Sequence, residues 1–297
     1  MIQVIIKRAE HIGFCSGVDR AITMALELLC LEGTLYVTGD LVHNAQVMDE
    51  LIVKGLKIID HRRFPEHATV MIQAHGASPD MVRELIERGN NIIDGTCPIV
   101  KKSFDICQKC SLSGHQLIVF GRSQHPEMIA LKGIVRDALI VEGLNDLELL
   151  FQNKAGFAQK HQISKAFDVA LCAQTTKPLE QFGELAAFLS SQIRQFQHLI
   201  VYNTICDATT LREKEIEQLA SNNDCVIVVG GVKSSNTRKL YDIAKKRNNN
   251  AHLIHSIEDL DGIKASIFQS ETCVIASGTS TPMKQVEAVE NYITSEM

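Results

Sequence analysis

The chain repeats one pattern of hydrophobic and polar positions: a short aliphatic run rich in β-branched residues, a polar segment, and then an amphipathic helical segment. Its copies begin with the runs TLYVTG, TVMIQA, QLIVFG, DVALCA, CVIVVG and TCVIAS. Strands that alternate with helices of this length predict an α/β protein with parallel sheets built from β-α-β units. Ligands bind beyond the carboxyl ends of the strands in such sheets, so we expect the polar segments to form the binding side.

The composition narrows the class of protein further. A length of 297 residues predicts about two or three domains. The net charge of −5 offers no basic surface, so we predict no nucleic-acid partner. No apolar run approaches the roughly 20 residues of a membrane span, and we do not expect the segment MIQVIIKRAE to be a signal peptide. The nine scattered cysteines do not form a disulfide framework, and we therefore predict a cytoplasmic protein with reduced thiols and no membrane association.

Most of the cysteines are predicted to be structural. One group lies in or beside apolar runs, where cysteine behaves as a small hydrophobic residue, and is predicted to be core: Cys30, Cys172, Cys225 and Cys273. Cys107 and Cys110 form a CxxC motif, which could indicate a redox or zinc site. However, this motif falls within a predicted helix and has no second CxxC, so a structural role is the favoured interpretation.

The remaining cysteines share one local context. Cys15, Cys97 and Cys206 each follow an apolar segment and precede a predicted helix start. A thiolate is favoured over a thiol at a helix N-terminus. Soft sulfur ligands select zinc, cuprous copper or an iron–sulfur cluster, and structural zinc usually requires four ligands in closely spaced pairs. Three widely spaced cysteines better suit a [4Fe–4S] cluster with one open iron, although the spacing alone leaves the other metals open.

The chain contains, in this order, the segments GFCSGVDRA, DGTCPIVKK, HPE, AQTT, NTICDATTLRE, VKSSNTRKL and SGTSTP. This ordered set resembles the LytB-type reductases, the 4-hydroxy-3-methylbut-2-enyl diphosphate reductases of the non-mevalonate pathway. The resemblance runs from about Gly13 to Pro282. The chain departs from the family pattern at Gln124, where a glycine is usual, at MIALKGIV, and in KKSFDICQ, which lacks a common histidine.

The resemblance implies a fold and a cofactor. It implies three similar α/β sections with mostly parallel sheets, in a pseudo-threefold trefoil around a central [4Fe–4S] cluster. We expect these sections at residues 1–97, 98–200 and 201–297, with Cys97 at the start of the second. Cys15, Cys97 and Cys206 match the three cluster ligands of the family, which leaves the fourth iron open.

The resemblance also implies an activity. The family removes the allylic hydroxyl of its diphosphate substrate reductively and yields isopentenyl and dimethylallyl diphosphate. Glu127 matches the proton donor, with Thr175 and His125 orienting the hydroxyl, although a glutamate in a first helical turn is otherwise a routine dipole partner. The positions that match the diphosphate site are His43, His75, Ser234, Ser235, Asn236 and Ser280. Helix N-termini bind anions well, and the chain has no Walker or GxGxxG motif that would serve instead.

The electron source and two other functions stay open at this point. Because the chain lacks a nucleotide-binding motif, we expect a protein electron donor of the ferredoxin or flavodoxin type. A non-redox iron–sulfur hydro-lyase would also use an open iron, but it would work without a reductant. A non-enzymatic iron or oxygen sensor would hold the cluster but would have no use for diphosphate-binding segments.

Overall fold

The computed structural model describes residues 4–60, 63–152, 168–232 and 234–296. The chain divides into two compact units. The terminal unit contains Met1–Ile58 and Asp207–Met297, and the central unit contains Ile59–Cys206.

The predicted alternation of strands and helices is confirmed. The strands are β1 (Ile5–Arg8), β2 (Leu35–Val37), β3 (Leu56–Ile58), β4 (Thr69–Ile72), β5 (Asn91–Asp94), β6 (His115–Phe120), β7 (Leu139–Val141), β8 (Asp168–Ala173), β9 (Leu199–Val201), β10 (Cys225–Val229), β11 (Ala251–Ile254) and β12 (Thr272–Ser277). All of the repeated runs are strands followed by a helix, because each is a short, nearly continuous apolar run of the kind that forms a buried parallel strand, and the apolar residues after it recur at helical spacing.

The helices fill the intervals between these strands. They are α1 (Ser16–Glu32), α2 (Ala45–Val53), α3 (Pro79–Glu87), α4 (Pro98–Leu112), α5 (Pro126–Ile134), α6 (Leu144–Gln152), α7 (Leu179–Ser191), α8 (Asp207–Ser221), α9 (Ser235–Arg247), α10 (Lys264–Phe268) and α11 (Met283–Ser295). Two 3-10 helices cover Ile193–Gln195 and Glu258–Ile263. In the described parts of the chain, every helix is too short or too polar to cross a bilayer.

The main sheet of the terminal unit is parallel and is buried on both faces. Its strand order is β1-β12-β10-β11, and β2 pairs with β3 in parallel elsewhere in the unit. Side chains of β10 alternate between two apolar clusters. Ile227 packs with Val286 and Ile293 of α11, whereas Val226 packs with Ile216 and other residues of the opposite cluster. Helices on both faces are what a parallel sheet requires.

The main sheet of the central unit is also parallel and packs against helices on both faces. Its strand order is β7-β6-β8-β9, and β4 pairs with β5 in parallel. Leu117 of β6 packs in one apolar cluster with Phe104 of α4, and the next residue, Ile118, packs in the other with Leu185 of α7. The predicted α/β class, with parallel strands in three sections of the chain, is confirmed.

The structure supports most of the core cysteine predictions and contradicts one. Cys172, Cys225 and Cys273 are buried, as are the CxxC cysteines Cys107 and Cys110. Burial raises the pKa of the Cys110 thiol, which therefore stays neutral and is a poor metal ligand. The prediction that Cys30 belongs to the core is wrong, because it is exposed. The buried stripe of α1 ends at Leu29, and the next position points about 100° away from it.

Candidate functional site

The polar segments beyond the strands start helices in two chemically different ways. Asn44, Ser78 and Ser234 are N-cap residues whose side-chain oxygens accept a backbone N–H of the first helical turn. Cys15 and Cys97 occupy the same position in α1 and α4 but make no side-chain cap bond. Since oxygen-bearing residues are strongly preferred at N-caps, capping does not explain these cysteines.

Glu127 and Thr175 form the buried centre of the candidate site in the central unit. Glu127 lies in the first turn of α5 and is fully buried. The backbone N–H of Thr175 donates to its Oε1 at 2.9 Å, and the Thr175 hydroxyl donates to its Oε2 at 2.8 Å. Thr175 follows β8, so the tips of two neighbouring strands, β6 and β8, bring the pair together.

The environment of Glu127 makes it a group that can carry a proton at neutral pH. Burial raises its pKa from an ordinary value of 4.5 to about 7, against the lowering effect of the two hydrogen bonds from Thr175. Desolvation dominates because a buried carboxylate loses its hydration, and the two hydrogen bonds that it accepts come from Thr175, a neutral residue. A carboxyl group with a pKa near the working pH is well suited to acid catalysis.

Backbone hydrogen bonds hold two of the candidate ligands, and one of these bonds comes from this pair. The carbonyl of Thr175 accepts the N–H of Cys206 at 2.8 Å. The N–H of Cys97 donates to the carbonyl of Ala74 at 2.9 Å, directly before His75. Cys97 and Cys206 are both partly buried, so neither thiol is shut inside the core.

His75 and His125 lie side by side in the central unit. Their rings meet edge to face with centroids 5.0 Å apart. Nδ1 of His125 accepts the backbone N–H of Glu127 at 3.2 Å, which fixes the imidazole at the start of α5. The structure therefore brings five of the predicted residues of this unit into one connected group with Cys97: His75, His125, Glu127, Thr175 and Cys206.

The terminal unit contains a second connected group of predicted residues. The N–H of Cys15 donates to the carbonyl of Thr279 at 3.2 Å, and the N–H of Thr279 donates to Oδ1 of Asn236 at 3.0 Å. Ser280 follows Thr279 directly and is buried. The segments after β1, β10 and β12 are thus bonded to one another at the carboxyl ends of neighbouring strands.

Among the described residues, the side-chain amide of Asn236 makes a hydrogen bond through its oxygen but not through its nitrogen. Asn236 is 4 % exposed, and within the described residues its side-chain nitrogen Nδ2 has no hydrogen-bond partner. A buried N–H group without a partner is costly, and this donor is available to a ligand. Ser234 is also buried and caps α9 at the N–H of Thr237, whereas Ser235 is exposed.

His43 lies close to the same segments of the terminal unit. A Cβ on Gly231 would lie 2.3 Å from the carbonyl oxygen of His43, so glycine is needed for the two backbones to approach. Asn44, the next residue, donates to the side chain of Gln285 in α11 at 2.9 Å. These contacts place the β2–α2 segment beside those that carry Ser234 and Ser280.

A family comparison identifies the group of proteins to which the chain is related. The model of the family described as LytB protein matches residues 6–294. The chain belongs to the LytB family. Its relatives include a 4-hydroxy-3-methylbut-2-enyl diphosphate reductase of Pseudothermotoga lettingae, which is 36 % identical over 96 % of each chain. The family predicted from the ordered motifs is thereby confirmed, and the name of this relative agrees with the predicted reductase.

Solved structures of two LytB-like reductases are similar to this chain. One is a structure of (E)-4-hydroxy-3-methyl-but-2-enyl diphosphate reductase, described as the terminal enzyme of the non-mevalonate pathway. It is 33 % identical, with a TM-score of 0.73, covering 99 % of this chain and 100 % of its own. The other, the E-1-hydroxy-2-methyl-but-2-enyl-4-diphosphate reductase from Plasmodium falciparum, is 27 % identical with a TM-score of 0.85 and covers 98 % and 88 %.

LytB proteins are iron–sulfur enzymes, and the donor set of this chain fits such a group. Cys15, Cys97 and Cys206 are free of disulfides and partly buried, and each lies immediately before a helix. Two of them replace an oxygen-bearing cap without making a cap bond. Soft thiolates at helix N-termini are suitable ligands for iron–sulfur clusters.

One contributor to this LytB site was not singled out in the sequence. Gln174 is 2 % exposed, and its Oε1 accepts the N–H of Arg122 at 3.0 Å. Its own N–H donates to the carbonyl of Phe120 at 2.8 Å, so it locks the segment after β6 to the segment after β8. In the sequence Gln174 belongs to the AQTT segment, but a polar residue at the end of an apolar strand does not by itself indicate a role.

Proposed function

We propose that this LytB protein is a 4-hydroxy-3-methylbut-2-enyl diphosphate reductase that removes the allylic hydroxyl and releases isopentenyl and dimethylallyl diphosphate. The observation that carries the proposal is the buried Glu127–Thr175 pair, in which Thr175 also accepts the N–H of Cys206. A proton-carrying acid therefore lies two hydrogen bonds from a candidate cluster ligand. Reductive loss of a hydroxyl needs both an electron source and a nearby acid, because hydroxide is a poor leaving group unless it is protonated.

The cofactor of the proposed reaction is a [4Fe–4S] cluster with three thiolate ligands, from Cys15, Cys97 and Cys206, and one open iron. When bound, the cluster supplies the two electrons singly and a Lewis-acidic iron for the substrate oxygen. The protein's part is to keep these thiolates in place by their backbone N–H bonds to Thr279, Ala74 and Thr175.

Glu127 and Thr175 are the proposed proton path. In the ionised state the Thr175 hydroxyl donates to Oε2 of Glu127. Once Glu127 is protonated, the direction of this bond reverses, because a carboxylic acid donates, and the threonine O–H can then donate to the substrate hydroxyl. The reaction consumes two electrons and two protons and releases water, and the chain delivers one proton to the departing oxygen by this route. His125 orients that hydroxyl beside Thr175.

The diphosphate is held by hydroxyl, amide and imidazole groups of the candidate site. Ser234, Ser235, Asn236 and Ser280 lie at or before the N-termini of α9 and α11, where backbone N–H groups and the helix field favour anions. Nδ2 of Asn236 is a buried donor oriented by its bond to Thr279. His43 and His75 add imidazole N–H donors.

The electrons are proposed to come from a small protein donor of the ferredoxin or flavodoxin type. The sequence contains no nucleotide-binding motif that would let the chain take hydride directly from a nicotinamide. Because the proposed ligands must stay reduced, the cytoplasm is the compartment that suits this chemistry.

The function is tested by anaerobic purification, iron and sulfide counts, and turnover of the hydroxylated diphosphate with a strong artificial reductant. We expect both products only when the reductant is present. Conversion without any reductant would favour a hydro-lyase instead. A loaded cluster whose absorbance does not respond to the allylic diphosphate would favour a sensor.

Replacing Asn236 by alanine is expected to weaken diphosphate binding. A hydrogen bond to a charged group contributes about 1.5–3 kcal/mol, so the Kd should rise roughly tenfold to hundredfold. Titration of cluster absorbance with substrate measures the change, and the spectrum without substrate should match wild type. Asn222→Ala, at an exposed position after α8, is the matched control. Equal affinities for wild type and Asn236→Ala would place the diphosphate elsewhere.

A further inference from the structure

Arg212 is buried in the terminal unit and holds two backbone carbonyl groups. It lies in α8, the helix that starts directly after Cys206, and is 5 % exposed. Its Nη1 donates to the carbonyl of Ser277 and its Nη2 to the carbonyl of Gly13, both at 2.8 Å. A planar guanidinium presents several donors in a fixed fork, so one side chain can link two chain segments rigidly.

The side chain of Ser277 completes this link. Its Oγ accepts the N–H of Gly13 at 2.9 Å, so both the N–H and the carbonyl of Gly13 are held. Gly13 has a φ of +81°, and a Cβ there would lie 2.8 Å from Sδ of Met283. Only glycine fits such a position, and the segment that leads to Cys15 therefore has one defined path.

The linked segments both continue into the proposed site. Gly13 leads to Cys15, and Ser277 leads to Thr279, whose carbonyl accepts the Cys15 N–H at 3.2 Å. We propose that Arg212 is a positioning residue that fixes the Cys15 segment and the segment after β12 in one geometry. This inference rests on the proposed function in one respect, namely that Cys15 is taken to be a cluster ligand.

The proposal is tested on cluster-free protein by the reactivity of individual thiols. Arg212→Lys keeps the positive charge, but a single ammonium cannot reproduce the fork, so at least one of the two carbonyls loses its partner. We expect alkylation of Cys15 by iodoacetamide, followed by mass spectrometry, to become about tenfold faster, as the loss of a charge-assisted hydrogen bond implies. Alkylation of Cys97 in the central unit and of the exposed Cys30 should keep its wild-type rate.

Two further variants separate local positioning from general loosening. Arg247→Lys is the control, because Arg247 makes a comparable side-chain link to Glu217 on the exposed surface of the same unit. Its thiol rates should equal wild type. Ser277→Ala removes only the Oγ acceptor of Gly13 and spares the Arg212 bonds, so a smaller acceleration at Cys15 is expected even if Arg212→Lys folds poorly.

The outcomes decide the role of Arg212 independently of turnover. Acceleration confined to Cys15 supports positioning. An unchanged Cys15 rate in both variants, or equal acceleration of the buried Cys225 and Cys273, overturns it, because the latter shows that the whole unit has loosened. An inactive wild-type protein would contradict the proposed function, whereas the thiol rates are measured without cluster or substrate.

Discussion

Cys97→Ser is expected to lose the iron–sulfur cluster while the cluster-free protein keeps or gains stability. An alcohol is a hard ligand and remains protonated at neutral pH, so it is a poor replacement for a thiolate on iron. Serine is, however, a preferred N-cap, and Cys97 holds the N-cap position of α4 without a side-chain bond. The substitution should therefore contribute up to about 1 kcal/mol to helix stability. Iron and sulfide analysis together with thermal unfolding of the cluster-free protein measure the two effects.

Cys107→Ser is the matched control, and we expect it to keep the iron–sulfur cluster but to lower the stability of the cluster-free protein. Cys107 lies in the same helix but is fully buried in the apolar core of the central unit. A hydroxyl there is removed from water and placed among apolar side chains, at a cost of about 1–3 kcal/mol. Iron and sulfide content should stay near wild type. Loss of the cluster from Cys107→Ser, with full retention in Cys97→Ser, would show that the ligand assignment is wrong.

The parts of the fold that could be predicted are those encoded by local periodicity. Each strand and its following helix arise from contiguous residues, so short apolar runs followed by helical spacing identified all the repeated copies. The error at Cys30 shows the limit of reading composition alone. Its neighbours ALELLCL are apolar, but the helical period places the position after Leu29 outside the buried stripe.

The contacts between distant segments could not be predicted from the residues themselves. Thr175 and Glu127 are 48 positions apart, and Thr279 and Asn236 are 43 apart. Nothing in the local pattern states which strand tips become neighbours. The pairing of β1 with β12, with Ile5 opposite Thr272, could not be predicted either, because a short apolar run suits the edge of any parallel sheet. The resemblance to the family supplied Glu127 and Thr175, and the structure supplied their hydrogen bonds.

Glu127→Gln is expected to bind substrate and keep its cluster but turn over about 10²–10⁴-fold more slowly, the usual contribution of a positioned general acid. Glutamine has nearly the same size, and its carbonyl oxygen can accept the N–H of Thr175 while its amide group donates to the Thr175 hydroxyl, but it has no acidic proton to deliver. Turnover is measured with a strong artificial reductant, so that the supply of electrons does not limit the rate.

Glu180→Gln is the matched control for this substitution. Glu180 lies in the first turn of α7, as Glu127 does in α5, but its side chain is exposed. It can act only as a partner of the helix dipole, which is worth at most about 1 kcal/mol of stability at such a position. Wild-type turnover in Glu180→Gln would show that losing a first-turn carboxylate does not by itself impair catalysis.

The pH dependence of turnover gives an independent test of the same role. Because the pKa of Glu127 is raised to about 7, its protonated form predominates below that pH and is lost as the pH rises through it. Wild-type turnover should therefore fall above about pH 7, and the residual turnover of Glu127→Gln should lack this decline.

The free energy of unfolding should change with pH in the same direction. The stability associated with the protonated group is complete below its ordinary pKa of 4.5 and is lost as the pH rises through about 7. The glutamine variant should accordingly gain stability relative to wild type as the pH rises from 4.5 to about 7.

These two readouts separate an acid from a structural carboxyl group. If Glu127 has only a structural role, the difference in stability between wild type and Glu127→Gln should change with pH, but their turnover should be nearly the same. A general acid moves both, with the same pKa of about 7 governing each curve. If turnover of Glu127→Gln stays within about threefold of wild type, well below the range of general-acid effects, and the alkaline decline persists, the proton must come from another group. The hydrogen bonds of Thr175 would then serve only to hold a buried side chain at the start of α5.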